Sequence, residues 1–271
     1  MITFETRSGN EYVYFPETGI VYPKKAFEHT AKKIETFEKV LTGGIWNKGG
    51  GIWNKGLKLE NALESMGKPE ELREFIYRNG LYELILEVTQ RCNLRCKYCV
   101  YGKCYPDIRN HGVRDMDEGI AIKAIDLYFS LLEEGKCYNP YREPAIGFYG
   151  GEPLMNFKLI KKCIQYIKEK YREFKPSFTI TTNGTLLSKE IFSFLDDYDV
   201  IMLISLDGPK EEHDRNRVFP TGKGSFDTIM ERLRAIGVDR KSFFALAMFD
   251  WKTDLDKLHE FFSRDDTPVL L

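Results

Sequence analysis

Three cysteines lie within eight residues in the stretch Thr89-Gln-Arg-Cys-Asn-Leu-Arg-Cys-Lys-Tyr-Cys99, at the spacing Cys-x3-Cys-x2-Cys. Thiolates from Cys92, Cys96 and Cys99 can bind three irons of a cubane cluster and leave the fourth iron open for a substrate or cofactor. A structural zinc ion or an electron-transfer cluster usually has four protein ligands. Because arginine and lysine are interleaved with the cysteines, a buried core stripe explains them poorly. The spacing therefore predicts an iron–sulfur cluster with an open coordination site.

Two alternatives depend on Cys104, which follows the third cysteine by five residues. With Cys104 as a fourth thiolate, the site could be a zinc site that stabilises a binding module, or a closed cluster in an electron-transfer protein. The other cysteines carry less information. Cys163 lies on an apolar helical face and is predicted to be a core residue, and Cys137 lies in a predicted loop.

The composition favours a globular protein that does not bind nucleic acid or anionic membranes through its overall charge. The chain has 271 residues, of which 42% are hydrophobic, and this is enough for one large domain or two modest ones. Its 40 basic and 41 acidic residues nearly cancel, so we expect no nucleic-acid or membrane partner. The first residues do not resemble a signal peptide, and no apolar run approaches the length of a membrane span. These features predict a cytoplasmic protein.

From residue 81 onward, strand-like runs alternate with helical ones, which predicts an α/β fold with a parallel sheet. One helix should be capped by Asp115, another should carry an apolar stripe from Leu159 to Tyr171, and a third should run from Ser225 to Gly237. A sixth strand should begin at Val269. The five predicted strands are 82–88, 145–149, 177–182, 200–206 and 243–249.

Residues 1–80 read as a separate small α+β module, and residues 81–271 read as the main domain. In the module, two β-prone runs at 12–15 and 20–22 indicate a hairpin, and helices are predicted at about 25–41, 57–66 and 69–77. The sequence Gly-Gly-Ile-Trp-Asn-Lys-Gly occurs twice in tandem over 43–56. We interpret the repeat as a loop lengthened by duplication, because two copies are too few for a solenoid.

Each remaining polar motif follows the end of a predicted strand. These motifs are Gly150-Gly-Glu-Pro153, Thr182-Asn-Gly184 and Ser205-Leu-Asp-Gly208. Ligands of parallel α/β folds bind at the carboxyl ends of the strands, so the motifs should converge with the cysteines on one rim.

The cysteine motif, with aromatic Tyr98 before its last cysteine, resembles the signature of the radical S-adenosylmethionine (radical SAM) superfamily. The resemblance covers roughly residues 81 to 250 and implies a partial (β/α)6 barrel, here ending near the sixth strand. The stretch His213-Asp-Arg-Asn-Arg217, followed by Gly222-Lys-Gly-Ser-Phe226, is similar to the SPASM-type peptide- and protein-modifying branch. That branch includes anaerobic sulfatase maturases and enzymes that crosslink ribosomal peptides.

The resemblance implies a [4Fe–4S] cluster on the three cysteines, with S-adenosylmethionine on its open iron. Glycines would let the backbone approach the ammonium group of the cofactor, and the carboxylate of Glu152 would balance its charge. Asp207 would suit a ribose diol, and Arg217 would pair with the methionine carboxylate. The full set of implied cofactor-binding residues is Tyr98, Gly150, Gly151, Glu152, Pro153, Asn183, Ser205, Asp207 and Arg217.

The implied activity is reductive cleavage of S-adenosylmethionine to a 5'-deoxyadenosyl radical, which abstracts hydrogen from a peptide or protein substrate. A low-potential flavodoxin or ferredoxin would supply the electron. Residues 1–80 loosely resemble the winged-helix element with which many peptide maturases hold a leader peptide. Such maturases usually carry further cysteines for auxiliary clusters, and none follows Cys163. We therefore expect either a fragment or an enzyme that works with one cluster.

Overall fold

The computed structural model describes residues 2–5, 9, 11–15, 20–24, 69–102, 105, 110–237, 243–264 and 266–269. The chain divides into two compact units, Met1–Leu72 and Arg73–Leu271. The predicted helices at 25–41 and 57–66, the tandem repeat and Cys104 all lie outside the described residues.

The first unit contains a three-stranded antiparallel sheet of β1 (Ile2–Glu5), β2 (Glu11–Phe15) and β3 (Ile20–Pro23), in the order β1-β2-β3. The pairing of β2 with β3 confirms the predicted hairpin. Strand β1 was not predicted, because its four residues carry too short a pattern to be recognised.

The second unit is an α/β fold with five parallel strands, as predicted. The sheet order β4-β5-β6-β7-β8 follows the chain, so each crossover joins neighbouring strands in the manner of an open barrel segment. The strands are β4 (Glu83–Thr89), β5 (Ala145–Gly150), β6 (Ser177–Thr182), β7 (Val200–Ser205) and β8 (Phe243–Leu246).

Seven α-helices are described in this part of the chain, and the loops that enter them carry the polar motifs. None of the described helices is long and apolar enough to cross a bilayer. They are α1 (Pro69–Asn79), α2 (Glu118–Gly135), α3 (Phe157–Lys170), α4 (Lys189–Asp197), α5 (Lys210–Asn216), α6 (Phe226–Ile236) and α7 (Leu255–Ser263), with short 3-10 turns at Pro153–Asn156 and Arg172–Phe174.

Helix α1 spans the boundary between the two units, and its C-terminal part packs on α2. Tyr77 is buried, and its hydroxyl donates to Glu134 over 2.7 Å. An added Cβ on Gly135 would lie 2.7 Å from the Tyr77 ring, so this glycine permits the close contact.

The core lies between the sheet and the helices that cover it. The members of the predicted stripe from Leu159 to Ile167 are buried, which confirms the core role of Cys163, whereas Tyr171 follows α3 and is half-buried. Phe129 of α2 is 1% exposed and stacks on Tyr171 with ring centroids 4.0 Å apart. Gly237 ends α6 in the left-handed conformation (φ 72°), as its sequence position predicted.

One expectation about an element was wrong. The cap of α2 is Asp117, whose side chain accepts from the amide of Ile120, whereas Asp115 binds Thr89 and Arg91 instead. This error arises because tertiary contacts, which a local pattern does not contain, decide what Asp115 does. Val269 is fully buried, and the strand predicted to begin there would continue outside the described residues.

Candidate functional site

The carboxyl ends of the parallel strands surround a cavity of about 330 Å³. This volume lies within the range of small-molecule sites. Ten of the implied residues line it, and they come from all the motifs at the strand ends: Cys92, Cys96, Tyr98, Cys99, Gly150, Gly151, Glu152, Asn183, Ser205 and Arg217. Pro153 and Asp207 are buried but do not line the cavity.

The two glycines at the end of β5 let that strand meet the backbone that leads into the cysteines. An added Cβ would lie 2.4 Å from the Thr89 carbonyl oxygen at Gly150 and 2.2 Å from that of Arg91 at Gly151. The amide of Gly151 donates to the Thr89 carbonyl over 2.9 Å, and that of Glu152 donates to the Arg91 carbonyl over 2.7 Å. A side chain at either glycine would therefore displace the start of the cysteine loop, residues 90–99.

The carboxylate of Glu152 joins the ends of β5 and β6. It is 1% exposed and accepts from the Thr182 hydroxyl (2.6 Å), the Asn183 amide (2.7 Å) and the Leu154 amide (3.1 Å). Burial raises the pKa of Glu152 to about 7, and these hydrogen bonds oppose the rise. Both carboxylate oxygens already have protein partners, so the side chain holds the cavity wall in place as well as facing the cavity.

Asn183 binds the cysteine loop from the β6 side. Its side-chain amide nitrogen donates to Asn93 over 2.9 Å, and its oxygen accepts from the Thr185 hydroxyl over 2.6 Å. Asn93 completes the ring by donating to the Thr185 hydroxyl over 2.8 Å. Neither Asn93 nor Thr185 was predicted, although both are polar residues beside predicted motifs.

The segment after α5 places Arg217 opposite Cys96. The amides of Arg95 and Lys97, on either side of Cys96, donate to the carbonyls of Val218 and Asn216 over 2.7 and 2.9 Å. Val218 and Asn216 flank Arg217, so these two backbone hydrogen bonds fix the position of Arg217 relative to Cys96.

Arg217 itself is buried in an ion pair. Its Nε donates to Asp207 over 2.9 Å, and its guanidinium lies over the ring of Tyr98, with 5.2 Å between Cζ and the ring centroid. Tyr98 donates its hydroxyl to the same carboxylate oxygen over 2.5 Å. Burial disfavours the charge of Arg217, but Asp207, Tyr98 and Cys96 together outweigh this effect, and the pKa of Arg217 is raised.

The donor set of the cavity fits an iron–sulfur cluster. All three thiols are free and partly exposed, and burial raises the pKa of Cys92 to about 12 and also raises that of Cys96. Within the described part of the chain, no three His, Cys, Asp or Glu side chains converge as ligands of a single metal ion. A cubane binds each thiolate on a different iron, so its ligands surround the cluster and need not converge on one point.

A family comparison decides the assignment: the model of the radical SAM superfamily matches residues 86–261. The chain belongs to the radical SAM superfamily. The cofactors predicted from the sequence, a [4Fe–4S] cluster and S-adenosylmethionine, are those that radical SAM enzymes use.

One of two curated relatives has a name from the branch that the sequence resembles. The chain is 29% identical over 193 residues to a cysteine-type anaerobic sulfatase-maturating enzyme of Clostridium novyi, covering 69% of this chain and 49% of the relative. It is 38% identical over 152 residues to an uncharacterised protein of Methanocaldococcus jannaschii, covering 56% of this chain and 47% of the relative. The chain thus spans about half the length of these curated relatives.

A solved structure shows the same fold. The structure of native anSMEcpe with bound AdoMet (S-adenosylmethionine) aligns with a TM-score of 0.55 and 24% identity, covering 69% of this radical SAM chain and 50% of that chain. The parallel five-stranded sheet is therefore a partial radical SAM barrel, as the sequence predicted.

Proposed function

We propose that this radical SAM chain holds a [4Fe–4S] cluster on Cys92, Cys96 and Cys99 and binds S-adenosylmethionine in the adjoining cavity. The observation that carries the proposal is the register that sets Cys96 opposite Arg217 on the wall of one cavity. The amino and carboxylate groups of a methionine could then reach the open iron and the guanidinium together.

The protein groups have separate roles in this site. Among the described residues, no group accepts a hydrogen bond from the terminal nitrogens of Arg217, so their edge can bind the methionine carboxylate in bidentate fashion. Gly150 and Gly151 bring a bare backbone to the cavity, where carbonyl groups can accept from the ammonium group. When bound and reduced, the cluster would supply the one electron that breaks the sulfonium carbon–sulfur bond of the cofactor, giving methionine and a 5'-deoxyadenosyl radical.

We propose a peptide or protein as the substrate. The support is the likeness to a sulfatase-maturating enzyme, whose name gives a protein as its target. We also propose a low-potential flavodoxin or ferredoxin as the electron donor and a reducing, cytoplasmic location, since both suit thiolates that must remain reduced to bind iron.

The residues before the barrel are proposed to bind the leader part of such a peptide, by adding its strand to the sheet of β1, β2 and β3. A truncation that starts at Pro69 keeps α1, which packs on α2. The truncated chain should hold its cluster but bind candidate leader peptides more weakly than the full chain. Equal affinity for both forms would refute this role.

The cofactor proposal is tested by anaerobic reconstitution, reduction with dithionite and addition of S-adenosylmethionine. We expect about four irons per chain and formation of 5'-deoxyadenosine. Cys96→Ala should lose the product, whereas Cys137→Ala should keep it, because Cys137 is exposed and outside the cavity. A cluster that is indifferent to the cofactor and lost on Cys104→Ala would instead identify an electron carrier, and stoichiometric zinc would identify a binding module.

A further inference from the structure

We propose that Asp207 is a positioning residue that aims Arg217 and Tyr98 at the cavity, with His213 and Ser225 holding the arrangement from behind. This inference deepens the proposed function and rests on it. It replaces the ribose contact that the sequence implied for Asp207.

The carboxylate of Asp207 has no room for a sugar hydroxyl. It is 2% exposed and does not line the cavity. One oxygen accepts from Tyr98 and Arg217, and the other accepts from the amide of Met248 over 3.0 Å. A nucleoside would have to break one of these bonds and reach a buried atom, which would leave a buried donor unsatisfied.

The same contacts fix the orientation of Arg217 in two directions. The bond from Nε to Asp207 sets the rotation within the guanidinium plane, and the Tyr98 ring beneath it restricts tilt out of that plane. Because only Nε is used, the edge formed by the two terminal nitrogens stays available for a carboxylate. A preorganised donor loses less conformational entropy when it binds.

His213 and Ser225 form a second connection between the backbones of Asp207 and Arg217. The amide of Asp207 donates to His213 Nδ1 over 3.3 Å, so the ring proton lies on Nε2, which donates to the Ser225 hydroxyl over 2.9 Å. That hydroxyl donates in turn to the Arg217 carbonyl over 3.0 Å. Every donor in this series of hydrogen bonds has an acceptor, and both His213 and Ser225 are fully buried.

A double-mutant cycle distinguishes positioning from direct contact. The equilibrium Kd for S-adenosylmethionine is measured anaerobically on the cluster-loaded chain with Asp207→Asn, Arg217→Gln and both changes together. Each single variant should bind roughly tenfold more weakly or worse, as expected when a charged hydrogen bond is lost. If Asp207 acts through Arg217, the double variant should bind within about twofold of Arg217→Gln. Losses that multiply in the double variant would overturn the proposal.

A milder substitution covers the case in which Asp207→Asn fails to hold a cluster. Tyr98→Phe removes one hydroxyl and keeps the ring beneath Arg217, so the same cycle is run with it in place of Asp207→Asn. Its effect should likewise vanish in the Arg217→Gln background.

Ser225→Ala tests the connection behind the site, and Ser188→Ala is its matched control. Ser188 caps α4 and does not line the cavity, so its loss should lower stability without changing Kd. Ser225→Ala should weaken cofactor binding roughly threefold or more at unchanged iron content. An unchanged Kd for Ser225→Ala would overturn the role of the His213–Ser225 pair. If the unaltered chain binds no cofactor at all, the proposed function fails together with the positioning role. Losses that multiply in the double variant would refute the positioning role alone.

Discussion

Replacing Gly151 by alanine should release the cysteine loop without touching a cysteine. The new Cβ would lie 2.2 Å from the Arg91 carbonyl oxygen and 2.6 Å from its carbon, and both atoms belong to the backbone just before Cys92. Carbon–oxygen contacts settle near 3.3–3.6 Å, so β5 and the loop must separate by about 1 Å. That movement would break the 2.7 Å bond from the Glu152 amide to the Arg91 carbonyl.

The expected cost combines two effects. Overpacking of a tight contact costs about 1–3 kcal/mol. A buried amide left without an acceptor costs about 1–3 kcal/mol more. We therefore expect Gly151→Ala to lower the free energy of unfolding by roughly 2–6 kcal/mol and to lose most of the reconstituted iron. Urea unfolding followed by circular dichroism, and iron analysis of the anaerobically reconstituted chain, measure the two outcomes.

Gly147→Ala is the matched control, because it makes the same change within β5, four residues before Gly151. Its Cβ would lie 2.4 Å from Oε1 of Glu83, the end of a flexible side chain that can move aside at the loss of one exposed hydrogen bond from Thr179. Stability within about 1 kcal/mol of wild type and full iron content are expected for Gly147→Ala. If Gly151→Ala matched this control in both measurements, the close approach of β5 to the cysteine loop would not be what positions the cluster.

Three further predictions concern other parts of the chain. Burial lowers the pKa of His213 to about 3, so below about pH 6.5 the unfolded chain binds a proton at this residue that the folded chain does not bind. The free energy of unfolding should therefore be highest above pH 6.5 and fall by about 1.4 kcal/mol per pH unit towards pH 4. If the urea midpoints of wild type and His213→Gln changed in parallel with pH, this prediction would be contradicted. Asn93→Ala removes the acceptor of the Asn183 side-chain nitrogen and one donor to the Thr185 hydroxyl, and it should reduce iron uptake in reconstitution, with Cys92→Ser as the iron-poor reference. Phe129→Ala empties a stacked core position and should cost about 3–5 kcal/mol in urea unfolding, with normal iron content in the protein that remains folded.

The convergence of the motifs was predictable because it follows from topology. Polar motifs that follow parallel strands must meet at one end of the sheet, whatever the details of packing. The observed strand Ser177–Thr182 matches the predicted range, and the Thr182-Asn-Gly184 motif follows it directly. The spacing of the cysteines indicated the superfamily. The topology alone was enough to predict that the cysteines line one cavity with the other motifs.

The roles of individual acidic residues were not predictable, because they depend on distant partners. Asp115 and Asp117 both precede Glu118 and both suit a helix cap, yet Arg91 and Thr89 bind the first and leave the second to cap α2. Strand β8 ends at Leu246, short of the predicted residue 249. The amide of Met248 donates to the Asp207 side chain, so the backbone turns away from the sheet there.

The cysteine loop contains no regular secondary structure, so its neighbours must fix its position. Three contacts do so: the amides of Gly151 and Glu152 bind Thr89 just before the loop and Arg91 within it, Asn183 binds Asn93, and the backbone on either side of Arg217 binds the residues on either side of Cys96. Gly151, Glu152, Asn183 and Arg217 also line the cavity. The position of the cluster and the shape of the cofactor site are therefore set by the same atoms. A substitution in any of the three contacts should consequently change iron retention and cofactor affinity together, and a variant that changed only one of the two would show that the cysteine loop is held by something else.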